Sequence, residues 1–354
     1  METQHTPIFA DASQMAALPD DSVDLVVTSP PYPMIDMWDA LFRSQSPTVA
    51  KALDQADGRR AFEGMHRKLD RIWTECYRVL KPGRFACINI GDATRTLGGE
   101  FALYPNHSRI ISAALRLGFQ CLPAVIWRKQ TNAPNKFMGS GMLPAGAYVT
   151  LEHEYILILR KGGKRVFTTE AQRHLRRESA LFWEERNQWF SDVWMDLKGS
   201  RQALADPATR KRSAAYPFEL AHRLIAMYSM KSDLVLDPFL GLGTTMAAAM
   251  ALGRNSTGYE IDSNLAPAIA DTARAAIPLG QKSVTARLKH HKKFIADRLA
   301  AGKPVKHHNA HYDFPVITAQ EKALCLARPL ALITESSQPK PMEFRVRYDT
   351  EISA

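Results

Sequence analysis

The chain has 354 residues, 45% of them hydrophobic and 23% charged, enough for one large α/β domain with insertions or two modest domains. No stretch approaches the roughly 18 uninterrupted apolar residues of a membrane span, and the opening METQHTPIFADASQ lacks the basic start and apolar core of a secretory signal, so no membrane association and a cytoplasmic location are expected. The net charge of +10 favours a polyanionic partner, although many basic proteins never bind one.

In chain order, Val23 to Val27 is a β-branched run that stops at Ser29-Pro30-Pro31, where two prolines cannot continue a sheet ladder. Phe62, Met65, Leu69, Ile72, Trp73 and Cys76 recur every three or four residues and predict a helix, ended by Lys81-Pro82-Gly83. Phe85 to Ile90 reads as a buried strand closing on Gly91-Asp92, His107 to Leu117 as a helix, and Pro123 to Trp127 and Glu154 to Arg160 as strands. Residues 161–215 break this rhythm. They are rich in Arg, Lys and Trp and show no sustained helix or strand period. Regularity returns with a helix after Tyr216-Pro217-Phe218, a strand at Leu234 to Asp237, a helix from Thr244 to Leu252 and a strand at Thr257 to Ile261. The alternation is that of a wound parallel sheet. Beyond about residue 275 the pattern is less informative, apart from the basic clusters Lys289-His290-His291-Lys292-Lys293 and Lys306-His307-His308. No Cys or acidic partners are arranged around those histidines, and no metal is expected. None of the four cysteines forms a C-x-x-C pair, and Cys76 and Cys87 read as core residues.

Two motifs carry chemistry. The first is Asp237-Pro238-Phe239-Leu240-Gly241-Leu242-Gly243-Thr244-Thr245, between a strand and a helix. Its glycines allow close backbone approach, and the helix start offers free N–H groups. It lacks the lysine of a phosphate-binding P-loop, and Met246 stands where a dinucleotide fingerprint wants a small residue. Glu260, nineteen residues after Gly241, is suited to accept hydrogen bonds from both hydroxyls of a ribose. Read alone, the loop could instead be a structural turn and Glu260 a surface charge.

The second motif is Thr28-Ser29-Pro30-Pro31-Tyr32 at a strand end. The amino group of cytosine or adenine is a poor nucleophile because its lone pair is delocalised into the ring. Acceptors for both of its hydrogens pull the nitrogen toward tetrahedral geometry. Ser29 Oγ and the Pro30 carbonyl are suitable acceptors, Pro31 helps stiffen the turn, and Tyr32 offers a face on which an extruded base can stack. An isolated tetrapeptide would more often be a proline turn with a core tyrosine. The glycine loop downstream shifts that balance.

In this order the two motifs resemble the β class of DNA amino-methyltransferases, in which the catalytic motif precedes the cofactor motif. The likeness covers roughly residues 8 to 265. It implies a Rossmann-like S-adenosylmethionine-dependent methyltransferase fold of circularly permuted motif order, with helices on both faces of a mostly parallel seven-stranded sheet and a small target-recognition insertion. It implies S-adenosylmethionine as cofactor, with Asp11 and Ala12 near the adenine, Asp237 near the methionine end with Phe239 beside it, and Glu260 and Ile261 at the ribose. Tyr216-Pro217-Phe218 resembles the segment covering the methionine. Thr28, Pro238, Gly241, Gly243, Thr244 and Thr245 complete the cofactor set. Asp92, at a strand end, is expected to orient the target amine or assist proton removal, unless it merely caps a helix.

Members of that class with Ser before the two prolines usually act on cytosine N4, and those with Asp or Asn on adenine N6. Cytosine N4 is therefore expected, with adenine N6 as the alternative. Cytosine C5 chemistry needs a cysteine nucleophile, normally in a Pro-Cys pair, and none occurs. A rival of another class is a DNA-binding protein that keeps the fold without turnover. The expected division is a catalytic half at 1–160, a target-recognition region at 161–215, a cofactor half at 216–275 and a basic extension at 276–354. Arg173, Arg176, Arg177, Arg201, Arg210 and Arg212 are the candidate contacts to double-stranded DNA, with the loop Thr131 to Lys136 and the C-terminal basic clusters as further candidates. A homodimer and a cognate restriction endonuclease are the other partners the resemblance brings into view.

Overall fold

The computed structural model describes residues 1–129, 146, 149–199, 216–336 and 342–349. Strands β1 (Glu2–Phe9) and β2 (Val23–Thr28) are followed by a 3-10 turn at Asp36–Trp38 and helices α1 (Asp39–Gln45), α2 (Pro47–Asp54) and α3 (Gly58–Val79). Next come β3 (Leu80–Ile90), the hairpin β4 (Ala93–Leu97) and β5 (Glu100–Tyr104), α4 (Asn106–Leu117), β6 (Phe119–Arg128) and β7 (His153–Lys161). Then follow α5 (Glu170–Glu178), α6 (Trp183–Trp189), β8 (Val193–Trp194), α7 (Phe218–Tyr228), β9 (Leu234–Asp237), α8 (Thr244–Leu252) and β10 (Asn255–Glu260). The chain closes with α9 (Ala266–Ala300), the short pair β11 (His307–His308) and β12 (Pro315–Val316), and strands β13 (Arg328–Ser336) and β14 (Glu343–Asp349).

Among the described residues the main sheet has ten strands in the order β13-β14-β1-β10-β9-β2-β3-β7-β6-β8. β1, β10, β9, β2 and β3 run parallel, whereas β7 pairs antiparallel with both β3 and β6. The seven strands expected from the resemblance form the middle of this larger sheet. Alternate side chains feed opposite faces. Val26, Ala86, Ile88 and Leu236 meet Leu69, Ile72, Trp73 and Cys76 of α3 and Ile110 and Ala114 of α4. Leu25, Val27, Cys87 and Val235 meet Leu220, Leu224 and Ile225 of α7 and Ala248 and Leu252 of α8. Helices therefore cover both faces, which the near-continuous apolar run of β2 requires. Cys76 and Cys87 are core residues, as read.

Three readings need correction. Lys81-Pro82-Gly83 is not a turn between helix and strand. β3 begins at Leu80, and the proline and the positive-φ Gly83 produce a register shift against β2 between Val23 and Leu25. Residues 161–199 do contain regular structure. Thr169 caps α5 through a capping box with Gln172, but α5 buries no residue, so its sequence has no apolar period to find. The boundary at 275 falls inside α9. The last two strands extend the main sheet from β1, with Phe344, Val346 and Tyr348 buried against Ala270, Ala273 and Ala276. These strands hide their signal in a short alternation, and α9 in a stripe of small residues.

Buried histidines make the fold acid-sensitive. His5 is fully buried between Ser256 Oγ and Thr3 Oγ1, each 2.8 Å from a ring nitrogen, and burial lowers its pKa to about 3. Burial lowers that of His66 to about 3 as well. Both rings are neutral when folded, whereas the unfolded chain takes up protons below about pH 6.5. Their contribution to stability is therefore present above pH 6.5 and is lost as pH falls toward 3, at about 1.4 kcal/mol per pH unit for each ring. Urea midpoints should drop steeply from pH 7 to pH 5, and a flat profile would contradict these assignments.

Candidate active site

The parallel strands open one side of the molecule at their carboxyl ends, the usual place for a ligand in a wound sheet. β9 ends on Asp237, and the chain runs through Gly241 and Gly243 into α8. Gly243 sits at φ +87°, and a Cβ there would come 3.1 Å from Met246 Cε. β10 ends on Glu260 beside it. Asp11 follows the next strand, β1. A cavity of about 830 Å³ lies over these ends. Asp11, Ala12, Asp237, Pro238, Phe239, Gly241, Thr244, Glu260 and Ile261 line it together with Ser29, Pro30, Pro31 and Tyr32. The two motifs meet because β2 pairs directly with β9, Leu25 opposite Val235 and Val26 opposite Leu236.

Asp237 is the joint between them. It is 2% exposed. Its Oδ1 accepts from Thr28 Oγ1 at 2.6 Å and Phe239 N at 3.0 Å, and its Oδ2 from Thr245 Oγ1 at 2.5 Å and the Tyr216 hydroxyl at 3.3 Å. Tyr216 and Thr245 also contact each other through their hydroxyls. A carboxylate has about four lone-pair sites, and all are used. Burial raises the Asp237 pKa, opposed by these hydrogen bonds, with Thr245 and Thr28 foremost. Asp237 therefore ties β2, β9, α8 and the Tyr216 segment together, and its oxygens are committed to that task.

Glu260 is different. Oε2 accepts from Gly241 N and Oε1 from Asp262 N, both at 2.9 Å, leaving lone pairs toward the cavity. Burial raises its pKa, and the backbone donors oppose the shift. At the other end of the cavity Ser29 Oγ lies 3.1 Å from the Tyr32 hydroxyl. Tyr32 donates to Glu154 Oε2 at 2.9 Å. Asn89 Nδ2 donates to Tyr32 at 2.8 Å and to Glu154 Oε2 at 2.7 Å. Lys129 Nζ lies 2.6 Å from Glu154 Oε1.

Some expected residues stand behind the cavity. Thr28 and Thr245 hold Asp237 from the sheet side. Gly243, Pro217 and Phe218 shape the backbone and core rather than the cavity wall, and of the Tyr216 segment only Tyr216 lines it. Asp92 is not at the cavity. It caps α4 by accepting from His107 N at 3.0 Å and sits 2.8 Å from His107 Nδ1, so its helix-cap reading prevails over its catalytic one. Arg173, Arg176 and Arg177 lie on α5, which is anchored at the amino end of β9, away from the cavity. Glu178 pairs with Lys231, and Arg165 with Asp233. Arg173 and Arg177 pair with Glu170, and Arg176 stacks over Phe167. Arg201, Arg210, Arg212 and the loop 131–136 lie outside the described residues. His291 is not part of a basic surface. It is fully buried, 2.8 Å from Glu184 Oε1 and 3.0 Å from the Pro315 carbonyl; burial disfavours its charged form, but Glu184 outweighs this and its pKa is raised.

The sequence reading missed one wall. Met37, Trp38, Leu41 and Phe42, on the 3-10 turn and α1, line the cavity opposite the glycine loop, with Lys68, Leu69 and Ile72 of α3. Trp38 and Phe42, four apart directly after the proline turn, were the available signal.

A wound sheet with this pair of carboxylates and an amide-rich loop over its carboxyl ends defines a transferase cleft for a nucleoside-containing cofactor. The sequence profile of the DNA methylase family matches residues 23–271, and the chain belongs to that family. It is 53% identical over 330 residues to the Type II methyltransferase M.MthZI of Methanothermobacter thermautotrophicus, covering 93% of this chain and 92% of that protein. It is 49% identical over 278 residues to M.MjaI of Methanocaldococcus jannaschii, covering 75% and 90%. A DNA modification methylase of Thermus thermophilus, TTHA0409, complexed with S-adenosyl-L-methionine, superposes with a TM-score of 0.61 at 31% identity, over 77% of this chain and 95% of that one. The cytosine-N4-specific PvuII DNA methyltransferase, at 17% identity and a TM-score of 0.55 over 76% of this chain and 86% of that one, shares the fold.

The protein is a DNA amino-methyltransferase of the N4/N6 class, and S-adenosylmethionine is its cofactor. The cavity suits that group on its own chemistry. Its volume is in the range of a small-molecule site, Glu260 keeps acceptors for a ribose, and a Cβ at Gly241 would meet only the Phe239 carbonyl at 3.9 Å, so the loop approaches a ligand without crowding it. Among the described residues no helix is long and apolar enough to cross a membrane. Glu260→Ala should weaken cofactor binding about 10- to 100-fold, the value of hydrogen bonds to a charged acceptor. Titration calorimetry reads this directly, and an unchanged Kd would remove Glu260 from the site.

Proposed function

We propose that the protein methylates N4 of cytosine at specific sites in DNA, by flipping the base and transferring the methyl directly. The observation that carries this reading is the position of Ser29. A hydroxyl, not a carboxylate, stands at the mouth of the cofactor cavity, on a corner stiffened by Pro30 and Pro31. When bound, the cofactor supplies an electrophilic methyl group. Ser29 Oγ and the Pro30 carbonyl accept the two amine hydrogens and localise the nitrogen lone pair. The Tyr32 ring stacks the extruded base. Trp38 and Phe42 close the cavity wall and exclude water. With Asp92 committed to α4, the amine proton passes to water. Lys68 and Arg71, which line the cavity, are suited to DNA phosphate. Arg201, Arg210 and Arg212 remain proposed DNA contacts, since they precede Tyr216 at the cavity.

The Type II designation of the relatives supports a cognate restriction endonuclease, and a DNA substrate places the protein in the cytoplasm with the nucleoid. Sedimentation distinguishes a monomer from the homodimer that the family likeness implies. The test of the main reading is direct. Unmethylated DNA is incubated with the protein and S-adenosylmethionine carrying a labelled methyl, digested to nucleosides and separated by mass. N4-methylcytosine is expected. N6-methyladenine would overturn the choice of base, and cofactor binding without transfer to any duplex would favour a protein that binds DNA without turnover.

A further inference from the structure

The reaction proposed above makes no use of the polar group behind the Ser29 corner. Asn89 and Glu154 stand at the same end of the antiparallel strands β3 and β7. Their side chains meet at the Tyr32 hydroxyl, and among the described residues Ser29, Asn89 and Glu154 are its hydrogen-bond partners.

Counting protons fixes the direction of each hydrogen bond. The Glu154 carboxylate only accepts, and Lys129 Nζ, 2.6 Å from its other oxygen, supplies the countercharge. Asn89 must present its NH2 here, because its oxygen would otherwise lie 2.7 Å from a carboxylate oxygen. Its two protons go to Tyr32 and Glu154, and its 3.5 Å separation from Ser29 Oγ is too long to compete. Tyr32 has one proton, and it goes to Glu154. Its oxygen is left as an acceptor, taking one bond from Asn89 Nδ2. Ser29 Oγ, 3.1 Å away, must then be the donor to Tyr32. That turns the Ser29 proton inward and its lone pairs toward the cavity. Burial, reinforced by the Glu154 charge, raises the Tyr32 pKa well above that of an ordinary phenol, so the relay keeps its proton.

We propose that Glu154, braced by Lys129, is a positioning residue that acts through the Tyr32 hydroxyl to hold Ser29 as an acceptor toward the target amine. This rests on the reading of Ser29 as that acceptor. Glu154→Gln keeps the shape and removes an acceptor. The single amide oxygen cannot serve both Lys129 and the Tyr32–Asn89 pair, so the Tyr32 proton is released to point at Ser29, and the Ser29 proton turns toward the substrate.

The test is a mutant cycle on the full protein, with kcat and KM for DNA measured beside cofactor Kd. Glu154→Gln and Tyr32→Phe should each lower kcat, on the order of 10- to 100-fold, the range for a misdirected buried hydrogen bond, with KM and Kd little changed. The double variant should be no slower than the slower single, because one relay is cut twice. Multiplied losses would overturn the proposal, as would wild-type kcat in either single variant. If Glu154→Gln fails to bind cofactor, Tyr32→Phe, which removes only one oxygen, decides the matter by the same kcat criterion. Ser29→Ala measured in parallel separates the two levels. Full turnover in that variant sinks the Ser29 reading itself. Lost turnover there, with multiplied losses in the cycle, sinks only the role given to Glu154.

Discussion

Ser29→Ala should cut kcat by about 10²- to 10³-fold, the cost of removing one preorganised polar group aimed at developing charge. Cofactor affinity should stay near that of the parent protein. Ser29 is joined to the Glu260 side of the cavity by the cavity alone, with no hydrogen bond of its own to the glycine loop among those described. The loss should fall on kcat rather than on KM, because the interaction strengthens only as the amine becomes nucleophilic. Single-turnover methylation with labelled cofactor measures it. Unchanged turnover would remove Ser29 from the mechanism.

Asp237→Ala should have the largest effect on stability. The substitution leaves the hydroxyls of Thr28, Thr245 and Tyr216 in the core without their acceptor. Each unsatisfied buried group costs about 1–3 kcal/mol. Part is offset, because burial already disfavours the ionised form of Asp237. A net loss of about 3–5 kcal/mol is expected, a large share of the roughly 5–15 kcal/mol of a typical domain. Urea unfolding of the variant should show a clearly lower midpoint. Asp237→Asn, which keeps one acceptor, should lose less. A midpoint near that of the parent protein in Asp237→Ala would mean the two motifs are held together by something other than this carboxylate.

The sequence and the structure agree where a residue's chemistry depends on its immediate neighbours. The two motifs, their strands and the acid at Glu260 were legible because glycine, proline and a strand-end acid carry local conformational meaning. The cavity wall from Trp38 and Phe42 was not, since two aromatics on a short helix look the same in a core. Glu154 and Asn89 were hidden for another reason. They lie 65 residues apart, and only the antiparallel pairing of β3 with β7 brings them to Tyr32. α5 misled the reading of DNA contacts. Its arginines are exposed and basic, as a DNA-reading element would be, but ion pairs and packing fix it at the far end of β9. Asp92 misled it in the opposite way, as a strand-end acid whose partner proved to be the next helix.

The most direct test of the whole account is a crystal structure of the protein with methylatable DNA and an unreactive cofactor analogue. The account expects one cytosine out of the duplex, stacked on Tyr32, with its N4 within about 3.2 Å of Ser29 Oγ, the limit of a hydrogen bond. An adenine at that corner, or an intact duplex whose bases never leave the helix, would contradict it.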